Sequence, residues 1–188
     1  MFGTFNPMQQ MTITLVTDRM VIQGTVQTRV RRLTDLVNEP DAVHLVLQDA
    51  TFMEVGSRRV VARGIAAQVR LSEVLFVHSS APTESAATMR MAKQPVRATL
   101  LVPPFTVEGT IYLSYESELR IALDAYGDRF VPVTGASYWS YSVAESPTEV
   151  DLLVVNHARA HVSIAAGVAW QADTSPERTD ADRGHNPW

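Results

Sequence analysis

The chain has 188 residues, 46% of them apolar, no cysteine and a formal charge of -4. The apolar share suits a buried core in one or two domains, while the missing thiols exclude disulfides, thiolate metal sites and a cysteine nucleophile. No apolar run approaches the roughly 18 residues that a membrane-crossing helix needs, and a net negative chain is a poor generic nucleic-acid binder.

The opening MFGTFNPMQQ has neither the basic start nor the apolar centre of a secretion signal. Residues 1–10 read as an N-terminal extension, and the expected location is the cytoplasm. Residues 12–28 hold two stretches rich in Thr, Val and Ile around Asp18-Arg19, the pattern of a hairpin or a strongly bent strand. Leu33 to Asn38 predicts one or two helical turns, with Thr34 as N-cap, Asp35 in the first turn and Asn38 closing the end. Pro40-Asp41 then breaks it. In Val43 to Gln48, residues 43, 45 and 47 share one face of a strand, and Thr51 to Val55 follows as its bent continuation or as a second strand. Residues 56–72 carry Arg58, Arg59, Arg63 and Arg70 and no acid, and read as a basic inserted loop. Residues 74–78 predict a final strand. The small, polar stretch 83–95 reads as a linker, and 170–188, rich in Asp, Pro, Arg and Gly, as a disordered tail.

Laid on itself, the chain repeats. Ile22-Gln23-Gly24-Thr25-Val26 matches Val107-Glu108-Gly109-Thr110-Ile111, 85 residues on. Residues 45–52 match 131–138, 86 residues on, and residues 73–78 match 151–156, 78 residues on. Such periodicity points to duplication, giving units at 11–82 and 96–169. On that alignment the basic insert of the first unit has only a short acidic counterpart, Glu145 to Asp151. Pro103-Pro104 marks the hairpin turn of the second unit, since neither residue suits a central strand. Short, strongly bent strands with one small helix predict a mainly β chain of two small barrels, each removing its own exposed sheet edges.

Several segments resemble a known family. Val43 to Ala50 resembles the central strand of Sm-like barrels, and Ile22 to Val26 their glycine-centred second strand. Arg32 to Asn38 in one unit and Phe130 to Ala136 in the other are similar to an uncharacterised bacterial family of the same small-barrel type. The resemblance implies two tandem Sm-like β-barrels, each with a short helix, and implies no activity. The chain departs from the Sm RNA pocket. Pro40 and the helix intervene where an Asp-x-x-x-Asn loop should stand, and His78-Ser79-Ser80 and Asn156-His157-Ala158 follow the expected last strands.

The candidate sites are two. Arg58, Arg59, Arg63 and Arg70 could bind an anion, an RNA or a protein partner, because loops on a scaffold often carry function. Tyr138, Trp139 and Tyr141 put aromatic side chains on both faces of one strand, so at least one face should meet another surface, either in core and inter-unit packing or at a subunit interface, where aromatics are enriched. His157 and His161 have helical metal-pair spacing, but on an extended strand four residues span about 13 Å, too far for one ion, so a pair requires the strand to turn there. There is no nucleophile elbow or phosphate loop. The sequence therefore predicts a non-enzymatic interaction or scaffold protein that self-associates or binds a protein partner, with no metal, cofactor or membrane partner. The alternative is an RNA-associated regulator, suggested only by the implied fold.

Overall fold

The computed structural model describes residues 7–80, 93–115, 118–126, 128–141 and 146–165. Strands dominate, as the sequence predicts. In chain order they are β1 (Gln9–Val16), β2 (Met20–Thr28), β3 (His44–Glu54), β4 (Val60–Arg70), β5 (Phe76–Ser79), β6 (Lys93–Val102), β7 (Phe105–Ser114), β8 (Phe130–Ser140), β9 (Thr148–Asn156) and β10 (His161–Ser163). Two short helices interrupt them, α1 (Leu33–Val37) and α2 (Leu119–Asp124).

The first hairpin turns where expected. The Thr17 hydroxyl accepts from the Met20 N–H at 2.9 Å, so a side chain takes over part of the turn's backbone pairing. Gly24 and Gly109 sit at matching register shifts, where the second strand of each half crosses the third. A Cβ on Gly24 would lie 3.0 Å from both Leu47 Cβ and Gln48 O, and one on Gly109 would lie 2.4 Å from Val133 Cγ1. Only glycine lets the two backbones approach that closely.

The strands do not close into two separate barrels. They form one open antiparallel sheet in the order β10-β6-β7-β8-β9-β5-β1-β2-β3-β4. The reason lies at β5. It pairs on one side with β1, and on the other with β9 of the second half. It therefore never meets β4, and the first half stays open there. The sheet bends around two cores. One gathers mainly first-half side chains such as Ile13, Leu15, Leu33 and Leu47, together with Phe130 and Val154. The other gathers second-half side chains such as Leu100, Ile111 and Leu153, together with Val16, Val21, Leu75 and Phe76. Each core thus borrows residues from the other half. Neighbouring residues at the junction are buried on both faces, as in Phe76-Val77 and Leu153 to Asn156, which explains their unbroken apolar runs.

The same pairing pattern occurs in both halves, and it corrects the sequence alignment. Leu47 opposes Ala67, and Val133 opposes Leu153, each residue 86 positions on. Residues 152–156 therefore belong to the fourth strand of the second half and answer to β4. They do not answer to residues 74–78, whose place in the second half is taken by β10. The stretch read as a basic inserted loop is mostly β4 itself. Its alternation was hidden because β4 is an edge strand with most side chains exposed, so no buried face imposes a period of two. Thr34 lies inside α1 and does not cap it; the N-cap position is Arg32, with no side-chain bond. Strand β6 starts at Lys93, within the stretch read as linker. Residues 83–92 and the tail 170–188 lie outside the described residues.

Candidate interaction surface

The two halves meet at β5 and β9. Phe76 opposes Val155 and Val77 opposes Val154. The Asn156 N–H donates to the Leu75 carbonyl at 2.8 Å, and the Asn156 side-chain amide donates to the Val74 carbonyl at 2.9 Å. Across the sheet, Phe76, Val16, Val21 and Met53 form one cross-strand row. All four pack on the second-half core. Phe76 is the centre of this contact. Its ring meets Phe105 edge-on at 5.1 Å and lies 4.9 Å from Tyr138, spacings at which aromatic pairs add to simple burial.

A second set of contacts clamps the junction from the α1 side. The Asn38 amide donates to the Phe130 carbonyl at 2.7 Å, and its Oδ1 accepts from the Phe130 N–H at 2.8 Å. Strand β7 begins pairing with β8 only at Thr134, so Asn38 acts as the missing strand for Phe130. Arg129 donates to the carbonyls of Val37 and Ala42. Asn38 does close its own helix, as the sequence predicts, its backbone N–H donating to the Thr34 carbonyl, but the partner of its side chain stands 92 residues away.

The open sheet leaves two outer edges, on β4 and on β10. Along β4, residues 63, 65, 67 and 69 share one face. Val69 is buried, Ala67 is half-buried and Ile65 is 89% exposed. The strand thus runs past the end of its core and carries apolar side chains into solvent, and among the described residues no strand pairs with its outer side. Val60 and Val61 are exposed as well. At the other end, β10 is short, and Leu101, which opposes His161, is 44% exposed.

The four candidate arginines do not form one patch. Arg58 and Arg59 sit at the β3–β4 turn, where Arg59 ion-pairs with Glu54. The Arg59 guanidinium, aided by the Ser57 hydroxyl, holds the Glu54 carboxyl below its ordinary range. Arg63 and Arg70 lie on opposite faces of β4, and Arg70 stands near Glu73 at 3.8 Å. Of the aromatic trio, Tyr138 is buried in the core against Phe76, Trp139 is half-buried on the other face, and Tyr141 is 63% exposed. His157 packs edge-on against Tyr126, while His161 is exposed on β10. Among the described residues no three His, Asp or Glu side chains are grouped to hold a metal ion, and no helix is long and apolar enough to cross a membrane.

Sequence reasoning missed β4 as an edge and Phe76 as the junction anchor. The available signals were the uncharged run from Gly64 to Val69 and the unbroken apolar run from Val74 to Val77. In comparisons with protein-family models, curated proteins and solved structures, the chain matches none.

Proposed function

We propose that this chain is a non-enzymatic scaffold that self-associates through the edges of its sheet, built from two copies of an Sm-like unit. The observation that carries the reading is the long, exposed, apolar β4 edge. Natural sheets blunt such edges with charge, proline or cover, because an unpaired strand recruits another. Here the residues from Gly64 to Val69 carry no charge at all, and among the described residues nothing pairs with the outer side of β4. The repeated strand order and the matching glycine crossings support descent of both halves from one unit. The fourth-to-fifth strand pairing inside the chain supports the Sm-like assignment. The carboxylates of Glu54, Glu73 and Asp124 stand in exposed ion pairs with arginines.

Size-exclusion chromatography with light scattering on the full chain tests this reading. The expected result is a mass above 20.7 kDa that falls on dilution, and falls further when Ile65 is changed to Lys. A clean monomer at high micromolar concentration would refute it.

A further inference from the structure

We infer that the outward face of the second half, where Trp139 and Tyr141 adjoin the carboxylates of Glu108 and Glu149, binds an extended, arginine-bearing peptide of a partner protein. Such binding goes beyond self-association and does not depend on it.

The two halves carry matching rows on this face, with different side chains. In the first half Phe76, Val16, Val21 and Met53 lie side by side and pack on the second-half core. Their counterparts in the second half are His161, Leu101, Thr106 and Trp139, joined by the same cross-strand pairs. This row is exposed. Leu101 is 44% exposed where Val16 is 1%. Trp139 is half-buried, and Tyr141, just past the end of β8, is open to solvent. Aromatic surface therefore stands on a face that lacks the cover its first-half twin has.

The next row differs in charge. In the first half it runs Thr14, Gln23, Thr51 and Arg63. In the second half it runs Thr99, Glu108, Ser137 and Glu149. Where the first half has an amide and a guanidinium, the second has two carboxylates, one on either side of Ser137. Both glutamates are exposed, and among the described residues neither stands in an ion pair. Arg97, on the same face, lies one row further on, opposite Thr110. The whole second unit leans the same way, since residues 96–169 hold eight carboxylates against four arginines. An anionic ligand, nucleic acid included, would be repelled here.

Geometry narrows the cation to arginine in an extended chain. Neighbouring strands lie about 4.8 Å apart, so Glu108 and Glu149 are about 10 Å apart at Cα, with the small Ser137 between them. A guanidinium set over Ser137 has N–H donors pointing to both sides and can serve two carboxylates at once, whereas an ammonium is a single point charge. Trp139 lies two residues along β8 from Ser137, about 7 Å away. Side chains on one side of an extended peptide repeat at the same interval. A peptide lying along β8 with arginine over Ser137 therefore sets its next like-facing side chain over Trp139, and the one after that near Tyr141. Those rings suit an apolar side chain or a second arginine stacked on the ring face.

Random decapeptides displayed on phage are selected on the immobilised full chain, and the enriched sequences are synthesised and titrated by fluorescence anisotropy. The expected result is enrichment of an arginine two residues from an apolar side chain or from another arginine. Binding should weaken about ten-fold or more in the Glu108→Gln, Glu149→Gln double variant and again in Tyr141→Ala. It should also weaken as salt is raised, and Glu149→Arg, which restores the first-half charge, should abolish it. All three positions are exposed, so thermal melts of the variants should match that of the parent chain. No enrichment, enrichment of peptides without a base, or binding that survives these variants would overturn the inference. Enriched sequences that copy residues 58–70 of this chain would give the face to a second copy and overturn it as well. A parent chain that is monomeric by light scattering yet binds such peptides would remove self-association and leave this site standing.

Discussion

Replacing Asn38 with Ala should weaken the whole protein, although Asn38 lies at the end of a one-turn helix. The side chain makes two hydrogen bonds to the backbone of Phe130, at 2.7 and 2.8 Å. Phe130 is fully buried, and β7 does not reach it. Alanine would leave one buried N–H and one buried C=O without partners. Each such orphan costs about 1–3 kcal/mol, so the loss should be about 2–4 kcal/mol once some solvent entry is allowed. Guanidinium denaturation followed in parallel by tryptophan fluorescence and far-UV circular dichroism measures it. The two halves share both cores, so the transitions should coincide, and the midpoint should drop with little change in slope. Arg129→Ala should cost less, since its guanidinium is partly exposed. The double variant should lose less than the two losses added, because both side chains brace the same contact. A loss under about 0.5 kcal/mol for Asn38→Ala would refute the idea that this side chain substitutes for a strand.

Gly109→Ala should be severe, because the new methyl would stand 2.4 Å from Val133 Cγ1 and 3.1 Å from the Thr134 carbonyl; a thermal melt should show a loss of several kcal/mol, while Gly135→Ala should cost only about 1 kcal/mol, arising from its φ of +53° alone, with open space around the site. Burial, with Asp128 nearby, pushes the Tyr126 phenol well above its ordinary range. The native state therefore holds that proton after the unfolded chain has released it, and the stability Tyr126 contributes is intact below about pH 10 and is lost as pH rises further. Tyr126→Phe should flatten that decline in denaturation curves at pH 9–11. His78 is shifted the other way, its imidazole held below the ordinary range by burial and then by Arg58. Its contribution is present above about pH 6.5 and is lost as pH falls, so His78→Gln should reduce the pH dependence of stability between pH 7 and 5.

The sequence makes some strands of this sheet easy to read and others hard. Strands β1 to β3 and β6 to β8 carry the alternation that a half-buried sheet requires, and their turns are marked by Asp18-Arg19 and Pro103-Pro104. Strand β4 carries no such signal, because an edge strand beyond its core has no buried face to keep in phase. The last strands misled for the opposite reason. Residues 74–77 and 152–155 are both uninterrupted apolar runs, since each is buried on two faces, and similarity of composition aligned two strands that in fact pair with each other. The aromatic strand was partly legible. Alternation placed Tyr138 and Trp139 on opposite faces, and the structure puts Tyr138 in the core. Which half's core it met was not legible, because that depends on Phe76, more than sixty residues away. The Asn38 clamp was invisible for the same reason.

The asymmetry between the two ends of the sheet bears on what each half does. A duplicated unit with identical ends would assemble as readily through its internal junction as through its outer ones, and nothing would fix where one chain stops. In this chain the inner junction holds Phe76, Asn38 and Arg129, whose side chains fill a core or satisfy buried carbonyls. The outer positions hold His161, Asp124 and Val43, which do neither. The close contact is thus the one within the chain, and the outer ends keep exposed apolar residues such as Ile65 and Leu101 beside these. The first half is the one sealed by its neighbour at β5. The second is the one that presents Leu101, Trp139 and Tyr141 outward. A substitution that fills the outer junction, His161→Phe, should tighten association between chains while leaving the unfolding midpoint of the isolated chain nearly unchanged. Light scattering across a dilution series reads the first, and denaturation at the lowest concentration reads the second. If His161→Phe instead stabilised the monomer and left association as it was, the exposed row would belong to the chain's own core, and the division of labour between the two ends would be wrong.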